Sequence, residues 1–320
     1  MNILHYALGF PPYRTGGMTK FCMDLMRQQN IDGHQAALLW PGRMKLWVQN
    51  VSIRDMGTPM IYNEPCRIRS FEIINPLPVP YDEGISSFHY FEKDAGKESY
   101  NKLLQDFQPE VIHIHTLMGL HRSFLEAARE RNIRCVFTTH DYFPICPKVT
   151  LFRNGKICES AMSCSDCASC NETALSMRKI SILQSLPYRF FKDYAIVRSL
   201  RKRHRDNYLN SDIDGKLTCA GATESDYRKL RDYYASFLQL MDVIHFNSTI
   251  AKKVYEKYFI LPESEVINIG HADIADNRKK KIFSRQKLRL TYLGPQGEAK
   301  GFFYLRRRST NYGKPGGISA

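Results

Sequence analysis

A histidine and a carboxylate follow one another at the end of an apolar, β-branched stretch. Residues 134–139 read as a buried strand, and His140 and Asp141 come directly after it. Ligands of α/β sheets gather at the carboxyl ends of strands, so both side chains are candidates for proton transfer or for orienting hydroxyl groups. A capped turn with a buried histidine is the alternative interpretation.

Paired glycines, Gly16 and Gly17, lie between the first apolar run and the first helical pattern. Glycine lets a ligand approach the backbone closely, and the free N–H groups at a helix start attract anions. The pair is neither a GxGxxG fingerprint nor a Lys-Ser/Thr phosphate loop, and ordinary turns also use paired glycines. By itself it is a weak indication of an anion site.

Five cysteines lie close together and end in two overlapping Cys-x-x-Cys units: Cys146, Cys158, Cys164, Cys167 and Cys170. This spacing suits a tetrahedral zinc ion held by thiolates, which would be structural. Disulfides or free thiols are an equal alternative, and an iron–sulfur cluster is a third. The four scattered cysteines, Cys22, Cys66, Cys135 and Cys219, are predicted to be small buried apolar residues.

Strand and helix patterns alternate through residue 140 with short connections. Predicted strands cover residues 2–8, 35–40, 67–73, 111–115 and 134–139, followed later by 242–246 and 265–270. This rhythm predicts an α/β protein with a Rossmann-like, doubly wound parallel sheet. The loops after residues 8, 115 and 139 are therefore the expected ligand-binding edge.

Changes in composition divide the chain into four parts. Residues 1–275 are predicted to form the Rossmann-like domain, with a cysteine-rich insert at 146–170 and a basic helical segment at 176–240. Residues 276–286 are predicted to be a linker because they are polar and charged, and 287–305 to begin a second domain. Residues 306–320 lack apolar periodicity and are predicted to be a disordered tail.

The formal net charge of +14 is concentrated in basic clusters that attract polyanions. No nucleic-acid-reading motif accompanies the charge, so we expect no nucleic-acid partner. No apolar run is long enough to span a bilayer, and the start reads as a strand rather than a signal peptide. A cytoplasmic protein is the expectation.

Residues 180–200 mix apolar and aromatic residues with Arg and Lys. One interpretation is an amphipathic face on an anionic membrane, which would place the protein at the inner face of that membrane. The other, which we favour, is a helix packed on its own domain with a basic outer side. Pro187 interrupts the helical pattern.

Several stretches, taken in order, resemble family 4 glycosyltransferases, which have the two-Rossmann-domain GT-B architecture. Residues 109–115 are similar to the family's PDVIHxH strand, and residues 136–146 resemble its TxHDxxxxCP segment. Further likeness lies in residues 3–17 with the paired glycines, in 239–248, and in 290–301, which resembles an LGxxxxxKG start of the second domain. The resemblance is spread over about residues 1–305, but only these patches are specific.

This resemblance implies transfer of a sugar from a nucleotide-diphosphate sugar to a hydroxyl group with retained anomeric configuration and without a catalytic metal. Gly16 and Gly17 would line the cleft near the donor phosphates, His140 would sit beside the transferred sugar, and Asp141 would orient hydroxyl groups. Lys300 would reach the diphosphate as a point charge. The implied acceptor is a glycan or a lipid-linked sugar, and the implied role is polysaccharide or cell-envelope assembly.

The sequence departs from the family pattern near Lys300. Residues 297–299 are Gly-Glu-Ala where the family often has an arginine, and the glutamate pair of the second domain is missing. We therefore expect a truncated enzyme that is inactive alone. The alternative is a non-catalytic acceptor-binding module, or a gene remnant acting with a partner that carries the donor half. A zinc-dependent nucleic-acid binder would leave the strand–helix rhythm unexplained.

Overall fold

The fold is described from a computed structural model of the chain. It describes residues 1–310 except 12, 46–49, 62–63, 66–67, 94, 154, 160–162, 201–202, 204–221, 271–273, 275–289 and 295–299.

An eight-stranded sheet organises these residues. Its strands in chain order are β1 (Asn2–Tyr6), β2 (Gln35–Pro41), β3 (Ser52–Gly57), β6 (Arg69–Ile74), β7 (Val111–Ile114), β8 (Arg134–Thr139), β11 (Val243–Phe246) and β12 (Glu263–Val266). Two small hairpins lie outside it, β4 (Met60–Ile61) with β5 (Glu64–Pro65), and β9 (Phe152–Arg153) with β10 (Lys156–Ile157).

The spatial order of the sheet is β12-β11-β8-β7-β1-β2-β6-β3, and every neighbouring pair is parallel except β3 with β6. The predicted Rossmann-like α/β fold is therefore confirmed. The antiparallel edge strand β3 was not predicted because its SIRDMG sequence is mostly exposed and has no apolar periodicity. A bulge between Asp55 and Gly57 bends this edge.

Helices connect the strands and cover the sheet. They are α1 (Gly17–Ile31), α2 (Glu98–Phe107), α3 (Arg122–Glu130), α4 (Cys167–Cys170), α5 (Met177–Leu183), α6 (Leu186–Phe191), α7 (Glu224–Leu238), α8 (Thr249–Glu256) and α9 (Phe302–Thr310), with a 3₁₀ turn at Phe88–Tyr90. Residues 195–200 are also helical. None of the helices in the described ranges combines the length and the apolar character needed to cross a bilayer.

Side chains alternate between the two faces of the sheet, as the period of a strand requires. On β1, Leu4 and Tyr6 are buried in the larger hydrophobic core, while His5 is directed to the face covered by α1, where it bonds to Gln29. A smaller core under α1 contains Cys22, Met26, Leu38 and Trp40, among others. The prediction that Cys22 is buried is confirmed, and Cys135 is also buried. Cys66 and Cys219 lie outside the described residues.

The predicted boundaries near the end of the chain fall largely outside the described residues. The linker at 276–286 is one such segment. Residues 290–293, in the predicted beginning of the second domain, have no strand conformation. Within the predicted tail, residues 306–310 continue helix α9, so the Arg-rich run extends that helix for about one further turn.

The basic helical segment packs differently from the favoured interpretation of its sequence. Arg189 turns inward, where it pairs with the fully buried Glu72 at 2.7 Å and lies over the ring of Trp40. Phe190 and Phe191 are instead exposed by more than half of their surface. Arg189 therefore departs from the predicted basic outer side, because it forms an ion pair with a buried carboxylate on β6.

Candidate functional site

The strand order reverses between β1 and β7. From β1 the chain proceeds outward through β2 to β6, and later returns to β7 and continues the other way to β12. The connections on the two sides therefore diverge at the carboxyl ends of β1 and β7, which opens a crevice there. The loops carrying Gly16, His115 and His140 all begin at this edge.

His140 lies directly after β8 and is held from two sides. Its Nε2 atom is 3.3 Å from Nδ1 of His115, the first residue after β7. Its ring centroid is 5.3 Å from that of Phe21, in the second turn of α1. Burial lowers the pKa of His140 to about 4, so the ring is neutral at neutral pH.

The contact with His115 continues into the sheet. His115 Nε2 lies 3.0 Å from Nδ1 of His5, and His5 Nε2 lies 2.7 Å from the side-chain oxygen of Gln29. Burial lowers the pKa of both His5 and His115, that of His5 to about 4. These partners of His140 were not predicted, although His113 and His115 at a spacing of two on one strand indicate a shared face.

The histidines form the one group of three or more potential metal ligands in the described part of the chain. The ligand atoms of His5, His113 and His115 all lie within 4.8 Å of one another. Their nitrogens already have hydrogen-bond partners, however: His5 bonds to Gln29 and His115, and His113 Nε2 lies 2.7 Å from the Thr138 hydroxyl. Hydrogen bonding therefore accounts for this cluster without a metal.

Asp141 has the geometry of a capped turn. Its Oδ1 atom accepts the backbone N–H of Phe143 at 2.9 Å, and its backbone carbonyl accepts the hydroxyl of Tyr255 at 2.8 Å. Burial raises the pKa of Asp141 to about 6, against the opposing effect of the Phe143 N–H. The side chain thus stabilises its own loop, and its role toward a ligand stays a prediction.

Gly16 and Gly17 form the start of α1, as predicted. Gly16 has φ 123° and ψ 174°, a conformation that is essentially restricted to glycine, and no side chain caps the helix. A Cβ atom at either position would meet nothing within 4 Å. The backbone N–H groups of this helix start are therefore approachable by an anion.

Lys300 is not brought to this edge by any contact of the described residues. Its backbone carbonyl accepts the Tyr292 hydroxyl at 3.1 Å, and its side chain is exposed. Its predicted role toward a diphosphate therefore remains an expectation.

The clustered cysteines do not assemble a metal centre among the described residues, where the histidine trio is the group that meets the distance criterion. None of the five forms a disulfide. The thiol of Cys167 donates to the Cys164 sulfur and lowers the pKa of Cys164 to about 7. The free-thiol alternative matches this geometry, and the zinc prediction gains no support from it.

At the carboxyl edge, a helix start that an anion can approach lies near a neutral imidazole. Nδ1 of His140 has no hydrogen-bond partner among the described residues, and it is not sealed from solvent. A neutral imidazole nitrogen can accept a hydrogen bond from a hydroxyl group or donate one to it, according to the tautomer of the ring. The edge can therefore bind a polyhydroxylated ligand that also carries an anionic group.

Comparisons with solved structures give several partial likenesses. The first is UGT2 of Phytolacca americana complexed with UDP-2-fluoro-glucose and pterostilbene, at 11% identity and TM-score 0.37, covering 85% of this chain and 55% of that one. An E. coli protein described as trehalose-6-phosphate bound with UDP-2-fluoro glucose follows at 12% identity and TM-score 0.35, covering 84% and 49%. The catalytic domain of starch synthase IV from Arabidopsis thaliana, bound to ADP and acarbose, has 11% identity and TM-score 0.28, covering 83% and 74%.

The chain spans about half the length of the first two of these structures. A comparison with curated proteins gives no match. A comparison with family models matches residues 15–157 to Glycosyltransferase Family 4. That segment runs from the glycine pair through His140 and into the cysteine-rich insert, so it contains the crevice residues described above. The similarity to glycosyltransferase family 4 thus covers residues 15–157, somewhat less than half of the chain.

Proposed function

We propose that this chain forms the acceptor-side wall of a retaining glycosyltransferase that uses a nucleotide-diphosphate sugar. The observation that carries the proposal is the meeting of α1 and β8 at the crevice, where the ring of Phe21 lies 5.3 Å from that of His140. A helix start with free N–H groups suits a phosphate, and a neutral imidazole beside it suits a sugar hydroxyl.

Each residue has a separate role in this proposal. Gly16 and Gly17 leave open space for the donor diphosphate to approach the backbone at the start of α1. His140 orients a hydroxyl of the transferred sugar through Nδ1, and Asp141 holds the loop that carries His140 in place. Lys300 would supply positive charge to the leaving diphosphate, which is where electrostatic stabilisation contributes most. No step requires a metal ion.

The acceptor in this proposal is a glycan or a lipid-linked sugar, reached at the cytoplasmic face of a membrane. Support comes from the exposed side of residues 182–200, which carries Phe190, Phe191 and Tyr194. Arg178 and Lys179, just before this segment, and Arg198 within it are also exposed, and Asp193 is the one acidic residue of 178–200. Aromatic and basic side chains exposed together suit an anionic membrane surface.

The test is transfer of radiolabelled sugar by the full chain, and detectable transfer would overturn the expectation that the chain is inactive alone. Separate reactions supply UDP-glucose, UDP-N-acetylglucosamine or GDP-mannose together with a membrane lipid extract. His140→Ala should lower transfer by about 100-fold, because a misplacement of the transferred sugar by about 1 Å can have an effect of this size. His34→Ala is the matched control, because His34 precedes β2 and so lies at the opposite edge of the sheet.

Retention is tested separately, by the anomeric configuration of the first product in proton NMR spectra. Donor binding without transfer in any reaction would support a non-catalytic acceptor-binding module instead. Equal transfer by the two variants would contradict the role of His140.

A further inference from the structure

Three hydrogen bonds in series connect α1 to His140 through the sheet. They join Gln29 to His5 at 2.7 Å, His5 to His115 at 3.0 Å, and His115 to His140 at 3.3 Å. The links span four elements, because Gln29 lies on α1, His5 on β1, His115 after β7 and His140 after β8. His5 and His115 are almost completely buried, so water does not compete for these bonds.

The series has a direction when the rings are neutral. A neutral imidazole has one N–H and one lone-pair nitrogen, so donating at one nitrogen requires accepting at the other. The side-chain oxygen of Gln29 faces His5 Nε2, which must therefore donate. His5 Nδ1 must then accept from His115 Nε2, and His115 Nδ1 must accept from His140 Nε2.

We propose that Gln29, His5 and His115 are positioning residues that hold His140 as the Nε2–H tautomer, with the lone pair of Nδ1 presented to the crevice. In this tautomer His140 accepts a hydrogen bond from a ligand hydroxyl and does not donate one. If the amide of Gln29 were reversed, every bond in the series would reverse, and Nδ1 of His140 would become a donor. The orientation of the Gln29 amide on α1 thus decides whether Nδ1 of His140, after β8, accepts or donates a hydrogen bond.

The role that this gives His140 toward a sugar rests on the proposed function, but the tautomer itself does not. The ring tautomer is therefore measured without any ligand. In the full chain labelled with ¹⁵N-histidine, long-range ¹H–¹⁵N correlation spectra distinguish a protonated ring nitrogen from a lone-pair nitrogen. Single His→Gln variants assign the signals of His5, His115 and His140.

Two substitutions of the same glutamine separate positioning from simple packing. Gln29→Leu removes the acceptor, so we expect His140 to lose its single tautomer and become a mixture. Gln29→Glu keeps an acceptor and cannot donate, so it should retain the Nε2–H form of His140. Gln28→Leu is the matched control, because Gln28 neighbours Gln29 on α1 but bonds to the exposed Asp32. It should leave all three rings unchanged.

The wild-type spectrum alone can overturn the proposal. A proton on Nδ1 of His140, or a zinc equivalent that copurifies and binds the rings of His5 and His115, would contradict it even if no variant folds. A His140 tautomer that is unchanged in folded Gln29→Leu would also contradict it. If the tautomers behave as proposed but His140→Ala transfers sugar normally, the proposed function fails, whereas the proposal on the tautomer of His140 stands.

Discussion

The ring of Phe21 lies 5.3 Å from the ring of His140, so the beginning of α1 and the end of β8 meet at one edge of the sheet. Phe21 follows Gly17 by about one turn of helix, which corresponds to roughly 6 Å along the axis. The glycine pair and the histidine, more than a hundred positions apart in the sequence, therefore border one crevice.

Substitutions of the two glycines should have different effects on stability. Gly16→Ala should destabilise the protein by about 1–3 kcal/mol, because φ 123° with ψ 174° is essentially closed to other residues. Gly17→Ala should be neutral or stabilising by roughly 0.5–1 kcal/mol, since it lies in the helix and its Cβ meets no atom. Urea unfolding measures both changes.

Nucleotide-sugar binding should weaken in Gly17→Ala despite its unimpaired stability, because the added methyl group occupies the space proposed for the diphosphate. Calorimetry with UDP-glucose and GDP-mannose provides this measurement. Unchanged affinity in Gly17→Ala would remove the glycine pair from the proposed site.

The buried carboxylate of Glu72 should be essential for stability. Its oxygens bond to Arg43 and Arg189, and Glu72 is fully buried. Glu72→Gln should lower the free energy of unfolding by about 3–5 kcal/mol, since two largely buried guanidinium groups lose their counter-charge. Asp55→Asn is the matched control, because the Asp55–Arg69 pair is exposed and should contribute within about 1 kcal/mol. Equal losses in the two variants would show that burial of Glu72 is not the cause.

Acid should destabilise the fold through its buried histidines. Burial lowers the pKa of His121 from 6.5 to about 4, and its Nδ1 atom is hydrogen-bonded to the Tyr100 hydroxyl at 2.7 Å. The unfolded chain binds a proton at this site below about pH 6.5 and the folded chain does not, so stability falls between pH 6.5 and 4. For one such ring the loss is on the order of 3 kcal/mol.

The pH dependence can be assigned by substitution. His121→Gln should be less stable than the wild type at pH 7.5 but should lose less stability on acidification to pH 4.5. Urea midpoints at the two pH values make the comparison. Parallel curves for wild type and His121→Gln would contradict the assignment to His121.

The exposed aromatic side of residues 182–200 should mediate membrane contact. Phe190→Ser with Phe191→Ser should reduce flotation with phosphatidylglycerol vesicles by at least about 100-fold in partition coefficient, because each buried Phe contributes about 1.5–3 kcal/mol. Added salt should weaken the wild-type contact, since its basic groups act through screened charges. Ile260→Ser, at a highly exposed position outside this segment, should change nothing. Flotation that is the same in both variants would refute this contact.

Much of the fold was predictable because its strands are apolar and its connections short. The predicted strand at 134–139 matches β8, and the predicted strand at 35–40 matches β2 to within one residue. Strand β3 could not be predicted, since an edge strand with one partly buried apolar residue, Ile53, carries no periodic signal. The inward turn of Arg189 was equally hidden, because its cause is Glu72, more than a hundred residues away in sequence.

The candidate site was predictable only in part. His140 follows a recognisable strand, so its place at the carboxyl edge could be predicted from local sequence. Its partners could not, because the contact of His5 with His115 depends on the pairing of β1 with β7. Gln29 shows no distinguishing pattern in a helix of mixed polarity, and its importance arises only from the ring it meets.

The most direct test of the proposed crevice is to identify which residues of the full chain change their NMR signals when a nucleotide sugar binds. Titration with UDP-glucose and with GDP-mannose, followed by backbone amide and histidine ring NMR signals, locates the contact. We expect the largest shifts at the amides of Gly16 and Gly17 and at the ring of His140. Shifts confined to the amino edge of the sheet, in the groove lined by Asn2, His34 and Arg69, would contradict it.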